Sequence, residues 1–235
     1  MRALFPVLWA AGCAAPCLAA SPVPAAPEPG MAMQIALLLA ALSLLPALIM
    51  SVTPFLRITL VLHFLRQAIG TQTAPSNQAL IALSLFLTIV LVEPVAARIH
   101  EESWKPYSAG KMTAAQAVER AEPHLRKYLL GYAREKDLAL MAGLAKAAPK
   151  SPEELPLRVL APAYMLSELR AGFQIGAVLF LPFLVIDLIV ASVTLSIGMV
   201  QLPPAMVSAP FKILLFVLAD GWNLVAGSLV RSFDR

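Results

Sequence analysis

The chain has 235 residues, of which 59% are hydrophobic and only 14% are charged, and its formal net charge at neutral pH is +4. Soluble domains carry about 25% charged residues, so this composition and a mean hydropathy of +0.77 favour an integral membrane protein. The basic residues are spread along the chain and not gathered on one segment, which argues against a nucleic-acid-binding surface.

The N-terminal segment, residues 1–20, has the layout of a cleaved secretory signal peptide. Arg2 precedes a short apolar core at residues 3–11, which is too short to span a bilayer, and small residues follow. Cleavage at the end of this segment would remove both cysteines, Cys13 and Cys17, and would leave a mature protein without thiol chemistry. An uncleaved anchor helix and a lipoprotein site at "AAGC" are the alternatives.

The rest of the chain predicts an all-α membrane protein. Residues 21–32 form a proline-rich linker, because the stretch "SPVPAAPEPG" can pack neither as a helix nor as a strand. Four apolar segments follow, and they predict a first helical hairpin at residues 33–97 and a second at residues 171–235. The segments lie at residues 33–53, 79–92, 173–200 and 211–230.

Two of these segments fit a bilayer poorly, since a membrane span needs about 20 apolar residues. The second segment is short, unless Glu93 and Pro94 are tolerated near its end and it reaches Ala97. The third is long, because a helix over residues 173–200 would extend about 42 Å. Pro46 predicts a kink in the first segment. The mismatch indicates that some of these helices are buried in a protein assembly.

Between the hairpins, residues 98–170 predict a small soluble helical insert. This segment holds twelve of the eighteen basic and nine of the fourteen acidic residues. Thr113 is a candidate N-cap, and Pro123 is expected to divide the following sequence into two helices. Apolar and aromatic residues recur there at helical spacing: Leu125, Tyr128, Leu129 and Tyr132.

The distribution of charge predicts the orientation of the chain in the membrane. A cleaved signal leaves the mature N-terminus outside, so the loop after the first apolar segment faces the cytoplasm. That loop carries Arg57 and Arg66 and no acid, in agreement with the positive-inside bias. The insert and the C-terminal end are then outside.

The sequence gives little support to an enzymatic function. An antiparallel second hairpin that turns at Pro203–Pro204 would place Asp187 and Asp220 at equal depth, as an intramembrane aspartyl protease requires, but the "YD" and "GxGD" signatures of that class are absent. The chain has neither an HExxH motif nor a Walker loop, and its histidines are widely separated. We therefore expect no catalytic, metal or cofactor site at the three histidines, His63, His100 and His124.

The charges inside the apolar segments need partners, because a charge at mid-membrane costs a few kcal/mol. In a hairpin that turns at the two prolines, Lys212 lies opposite Leu195, more than two turns from Asp187. The expected partner of Asp187 is therefore Arg57, Arg170 or a residue of another subunit. Three roles remain open: a structural ion pair, a charge facing a water-filled path, and a proton relay in a standalone proton-coupled transporter.

Glycines and prolines in the second hairpin allow two interpretations. Small residues permit close helix packing, whereas glycine or proline in a membrane helix permits a bend whose tip could form a constriction. The residues concerned are Gly172, Gly176, Pro182, Gly198, Pro203 and Pro204.

The stretch "FQIGAVLFLPFLVIDLIVASVTLSIGM…LPPAMVSAPFKILLFVLADGWNLVAGSLV" closely resembles the C-terminal half of the FliP family of type III secretion export-gate proteins. Three further stretches resemble it: "LLPALIMSVTPFLRITLVLHFLRQAIGTQTAPSNQALIALSLFLT", "EKDLALM" and "PLRVLAPAYMLSEL". The resemblance implies a non-enzymatic, channel-forming subunit in the bacterial inner membrane at the flagellar basal body, through which unfolded flagellar substrates pass. It also implies a homo-oligomer, a pentamer in the family, that forms a helical cone with FliQ and FliR and works with FlhB and FlhA.

The family places a methionine-rich loop, typically "GMMM" before two prolines, as a gasket around the pore. This chain reads "GMVQLPP", so Met199 matches the first methionine while Val200 and Gln201 replace the next two. The resemblance thus assigns the pore constriction to Met199, Val200 and Gln201. It also implies that protein surrounds the charges in the apolar segments, so we expect Arg57, Asp187, Lys212 and Asp220 to serve assembly. The injectisome counterpart of the family is the alternative to a flagellar protein.

Overall fold

The computed structural model describes residues 29–147, 151–199, 201 and 203–233, and these residues form helices and helical turns without a strand. The predicted all-α fold is therefore confirmed. The predicted signal peptide, with Cys13 and Cys17, and most of the proline-rich linker lie outside the described residues. The helices are α1 (Pro29–Ser51), α2 (Phe55–Ile69), α3 (Asn77–Ile99), α4 (Lys105–Ser108), α5 (Ala114–Tyr132), α6 (Glu135–Leu144), α7 (Leu157–Ser196), α8 (Pro204–Leu218) and α9 (Gly221–Arg231).

The chain divides into two units, Met1–Leu44 and Leu45–Arg235. The described part of the first unit is the beginning of α1, an almost wholly apolar helix that continues through Pro46. The second unit contains the remaining helices.

Among the described residues, three helical segments are long and apolar enough to cross a membrane: Gly30–Ser51, Asn77–Ser108 and Leu157–Ser196. The second predicted segment takes the longer of its two expected forms and extends past Ala97, because α3 runs through Glu93 and Pro94 to Ile99. It continues by a π-helical turn, His100–Trp104, into α4. A proline costs a helix one hydrogen bond, and here that loss does not stop it.

The fourth predicted segment is not one continuous helix. It is divided into α8 and α9, whose axes differ by 66°. Asp220 lies between them with a left-handed backbone (φ 49°), a conformation that aspartate and asparagine adopt more readily than most residues, and Gly221 follows.

The charged insert contains α5 and α6, and α5 begins as predicted. The Thr113 hydroxyl accepts a hydrogen bond from the Gln116 amide, and the Gln116 side chain accepts one from the Thr113 amide, which completes a capping box. The prediction that Pro123 divides this region was wrong, since α5 runs unbroken from Ala114 to Tyr132. Packing of its apolar face, where Leu129 is fully buried, offsets the hydrogen bond lost at the proline.

The insert packs on the first turns of α7. Leu129 of α5, Leu138 of α6 and Leu160 of α7 are buried together, and the hydroxyl groups of Tyr128 and Tyr164 lie 3.1 Å apart. The first part of α7 therefore belongs to the core of the insert, while the rest of the same helix continues into the apolar hairpin.

A second core forms where α2 crosses α7. Ile58, Val61, Leu62 and Leu65 of α2 are buried against residues of α3, α7, α8 and α9. Two glycines of α7 permit the close approach: a methyl group at Gly172 would lie 2.8 Å from Leu60 Cδ2, and one at Gly176 would lie 2.5 Å from Phe64 Cδ2. Close packing thus accounts for Gly172 and Gly176, while α7 continues as a helix through Pro182.

The contact at Gly176 predicts a steric effect on stability. Gly176→Ala places a methyl group 3.1 Å from Phe64 Cβ as well as against its ring, so α2 and α7 must move apart, at a cost of about 1–3 kcal/mol. Thermal unfolding of the detergent-solubilised chain, followed by circular dichroism, measures the loss.

Gly143→Ala in α6 is the matched control, because nothing lies within 4 Å of the added methyl group. Replacing this helical glycine should leave the melting temperature unchanged or raise it. Equal melting temperatures for the Gly176 and Gly143 variants would contradict the proposed packing constraint.

Candidate functional site

The tip of the second hairpin begins after α7, which ends at Ser196, and Gly198 lies in the turn that follows. The Gly198 amide donates to the Leu195 carbonyl (3.0 Å) and the Met199 amide to the Thr194 carbonyl (3.1 Å), which is the hydrogen-bond pattern of a Schellman motif. Gly198 has φ +81°, a backbone conformation that glycine adopts without steric cost. Gly198 therefore caps the C-terminus of α7, two residues beyond its last helical residue, Ser196.

The two residues described between Gly198 and Pro203 both face outward. The side chains of Met199 and Gln201 are exposed, whereas Val200 lies outside the described residues. Pro203 and Pro204 open α8, where a proline is favoured because the first helical amides have no intrahelical acceptor.

An ion pair joins the two arms of this hairpin below the tip. Lys212 Nζ lies 2.6 Å from Asp187 Oδ2, and the Ser208 hydroxyl donates to Asp187 Oδ1 at 2.5 Å. The Lys212 side chain is 7% exposed and that of Asp187 is 35% exposed, so the cation is the more deeply buried member. The pair lies about 12–16 Å along the helices from the tip, at 1.5 Å per residue.

This pair corrects the prediction that Asp187 has no basic partner in its own hairpin. The prediction assumed a turn at Pro203–Pro204, whereas α7 already ends at Ser196 and the prolines begin α8. The earlier turn shifts the arms by about two helical turns, so Lys212 takes the place opposite Asp187 that was expected for Asp220.

Asp187 and Asp220 are consequently not paired at equal depth. Asp220 lies at the break between α8 and α9, and its carboxylate accepts a hydrogen bond from Asn223 Nδ2 at 3.2 Å. The geometric argument for an aspartyl dyad therefore fails.

Arg57 and Arg170, the other expected partners of Asp187, bind different acids. Arg57 Nη2 lies 2.5 Å from Glu168 Oε1, and both side chains are buried. Arg170 Nη2 lies 3.0 Å from Asp137 Oδ1. Each of these pairs joins α7 to another helix: Arg57 is on α2, and Asp137 is on α6.

The Arg57 guanidinium has two further contacts after the end of α9. It lies over the ring of Phe233, 3.9 Å from its centroid, and its Nη1 donates to the Ser232 hydroxyl at 3.2 Å. A cation over an aromatic face is stabilised further when water is excluded. Arg57 therefore ties together α2, α7 and the residues that follow α9.

The carboxylates of Asp137 and Glu168 were missed as partners by sequence reasoning. Asp137 accepts a hydrogen bond from the Ser167 hydroxyl (2.7 Å), which itself accepts one from the Arg134 amide (2.9 Å). Asp137 lies in "EKDLALM" and Glu168 in "YMLSEL", two stretches that carry the family resemblance. In each stretch the acid is directly followed by an apolar residue, and this was the available signal.

An apolar groove lies beside the tip, between α7 and α8. It has a volume of 420 Å³ and is lined by Ile186, Ile189, Val190, Val193, Thr194, Val207 and Phe211. The groove offers a hydrophobic helix or chain a place to pack.

The histidines do not converge in the structure. His63 Nδ1 lies 2.8 Å from the Thr59 carbonyl, one turn earlier in α2, and His124 Nε2 lies 2.8 Å from Glu102. Within the described ranges, no three His, Cys, Asp or Glu side chains form a group that could hold a metal ion.

The buried position of Lys212 predicts the effect of removing its counterion. Asp187→Asn should destabilise the chain by about 1–3 kcal/mol, because a buried ammonium group loses its charged acceptor. Thermal unfolding in detergent measures the effect, and adding Lys212→Met should restore much of the loss by removing the unpaired cation.

Asp220→Asn is the matched control, since it makes the same chemical change at a site that asparagine can occupy. Its melting temperature should stay near that of the parent chain. A double variant that is no more stable than Asp187→Asn alone would contradict the assignment of the ion pair.

Comparison with known proteins gives one consistent family. A sequence model of the FliP family matches residues 38–229. Flagellar biosynthetic protein FliP of Pectobacterium carotovorum subsp. carotovorum is 47% identical over 204 residues, covering 86% of this chain and 79% of that protein.

Two further relatives carry the same name. The protein of Caulobacter vibrioides is 48% identical over 199 residues (84% of this chain, 75% of that protein), and the protein of Bacillus subtilis is 45% identical over 198 residues (84% and 90%). The family match and these identities over most of both chains show that this chain belongs to the FliP family.

Proposed function

We propose that this chain is a channel-forming subunit of the flagellar type III protein export gate in the bacterial inner membrane. The observation that carries the proposal is membership of the FliP family over residues 38–229, together with the three relatives above, each of which is named a flagellar biosynthetic protein. Several apolar helices of membrane-spanning length support a membrane location. The proposal assigns the chain no catalytic step and no cofactor.

The tip of the second hairpin is the part of the chain that we assign to the export path. Met199 and Gln201 are exposed there at the end of two packed helices, and the Asp187–Lys212 pair fixes the relative position of those helices. Methionine suits a seal around a variable cargo, because its side chain is flexible and fills irregular gaps. Copies of the chain arranged in a ring would bring their tips together around one constriction.

Assembly is supported by apolar surface that the described part of the chain leaves exposed. Phe211, Leu214 and Leu218 of α8 are exposed, and the apolar groove between α7 and α8 lies next to them. Large exposed apolar patches indicate contact with protein or lipid. We assign these faces to further copies of the chain, to FliQ and FliR, and to the FlhB and FlhA components of the apparatus.

Two alternatives receive less support. An injectisome subunit would share the fold, but the relatives reported above are flagellar by name. A proton-coupled transporter would use Asp187 as a relay, whereas this carboxylate is engaged by Lys212 and Ser208. An engaged carboxylate is better suited to fixing two helices than to exchanging protons.

Deletion of the gene tests the proposed function. Cells that lack the chain should fail to secrete flagellin and should build no filament, while secretion through the general pathway continues. Immunoblots of culture supernatants for flagellin and for a signal-peptide-bearing reporter measure both, with the intact gene on a plasmid as the control. Normal filaments in the deletion strain would refute the proposal.

Removal of the tip tests the constriction separately. A chain that lacks residues 199–201 should assemble but let small solutes cross the inner membrane, because the narrowest part of the path is lost. Leakage of a small fluorescent dye into cells that express the gate measures the barrier.

The matched control removes residues 109–111, an exposed turn of the insert between α4 and α5. That variant should keep the barrier intact. An unchanged barrier after loss of residues 199–201 would remove the tip from the export path without affecting family membership.

A further inference from the structure

A basic pocket lies between α3 and α5, at the end of the apolar part of α3. Its volume is 260 Å³, and its lining includes Pro94 and Arg98 of α3 and His124, Lys127 and Tyr132 of α5. The tip and the groove described above lie on other helices. The proposed export function does not use this pocket.

The two cations of the pocket have no partner within the described part of the chain. The side chains of Arg98 and Lys127 are exposed, and neither forms a hydrogen bond or an ion pair with another described residue. His124 differs, because its Nε2 lies 2.8 Å from Glu102, so that acid is already occupied. The pocket therefore presents two unneutralised positive charges on facing helices.

The remaining lining is aromatic and apolar. The Tyr132 hydroxyl donates to the Phe233 carbonyl at 2.8 Å, and Tyr128 bonds to Tyr164, so both rings are fixed at the pocket wall. Burial raises the pKa of Tyr128, which keeps its hydroxyl group neutral. Basic and tyrosine side chains together are typical of the membrane–water interface.

The position of the pocket along α3 identifies the class of ligand. Phe86, Val90 and Pro94 recur every four residues, so they form one stripe of this helix that leads to the pocket. Phe86 and Val90 are exposed and apolar, whereas Arg98 lies one turn beyond Pro94. An apolar stripe that ends at unpaired cations matches the acyl chain and the phosphate of one lipid molecule.

We propose that this pocket binds the phosphate headgroup of an anionic phospholipid, with Arg98 and Lys127 as its charged ligands and an acyl chain along Phe86 and Val90. Basic residues at a membrane surface attract anionic lipids with about 1 kcal/mol each, or roughly fivefold in affinity. The inference rests on α3 as a membrane span and not on substrate passage, so the lipid test and the export test can fail independently.

The test is native mass spectrometry of the full chain in a non-ionic detergent, with phosphatidylglycerol and phosphatidylethanolamine in equal amounts. We expect the chain to retain phosphatidylglycerol in preference. The Arg98→Gln/Lys127→Gln variant should lose affinity for it by at least about tenfold, since two charges are removed. Equal retention of the two lipids, or an unchanged affinity of the double variant, would overturn the proposal.

The matched control is Lys111→Gln/Arg120→Gln, which removes the same charge from exposed positions of the insert. It should retain phosphatidylglycerol like the parent chain, and an equal loss would show unspecific attraction and refute a defined site. If the first double variant does not fold, Gly131→Leu is used in its place and should likewise lose affinity for phosphatidylglycerol, because Gly131 lines the pocket. A methyl group there meets nothing within 4 Å, so the added side chain fills the pocket without a clash at Cβ.

Two further measurements distinguish the lipid from other anionic ligands. Millimolar inorganic phosphate should not displace the retained lipid, because the acyl chain contributes to binding. Displacement would assign the pocket to free phosphate and overturn the proposal. Failure to bind lipid, together with loss of co-purifying subunits in the Arg98/Lys127 variant, would assign the pocket to an acidic partner protein instead.

Discussion

The buried contact between Arg57 and Glu168 is the constraint around which the larger unit is arranged. Arginine stays charged at any physiological pH, so a guanidinium enclosed by apolar helices requires an acid within reach. Glu168 supplies it at 2.5 Å from α7, and Phe233 covers the remaining face of the cation. Three distant parts of the chain must therefore meet at one point.

Helix α7 connects the insert, the crossing with α2 and the second hairpin within the larger unit. Its first turns pack into the core of the insert, its middle crosses α2 at Gly172 and Gly176, and its end forms the hairpin with α8. The charged partners Glu168, Arg170 and Asp187 follow one another along it, each bound to a different helix. One helix thus fixes the insert, the crossing and the tip relative to one another.

Much of this fold could be predicted from local sequence, because local signals specify local structure. The capping box at Thr113 needs two side chains three residues apart, and the family resemblance rests on contiguous stretches. The prolines interrupt the helices less than the sequence predicts. Pro94 and Pro123 lie inside helices, since tertiary packing offsets one lost hydrogen bond, and Pro204 begins a helix where the turn was expected.

The ion pairs could not be predicted in the same way. The residue opposite Asp187 depends on where the hairpin turns. A turn at the prolines places Asp220 there, whereas the turn at Gly198 shifts the arms by about two helical turns and places Lys212 there. The position of the turn is determined by Gly198 and not by the two prolines, because the left-handed backbone at this glycine terminates α7 before the prolines are reached. Glu168 and Asp137 pair across elements that are far apart in sequence, so no spacing rule connects them with Arg57 or Arg170.

The distance in sequence between Arg57 and its last partners bears on how the chain is made. The hydrogen bond from Arg57 to Ser232 spans 175 residues, and that to Glu168 spans 111. During synthesis, α2 leaves the ribosome long before either partner exists, so its arginine must remain near water or lipid headgroups. α2 can enter the apolar interior only after α7 has been made, and the site is closed last, when Phe233 arrives. Arg57 can therefore become fully buried only after the partners near the end of the chain have been synthesised. A chain truncated before Glu168 would leave the guanidinium without this acid.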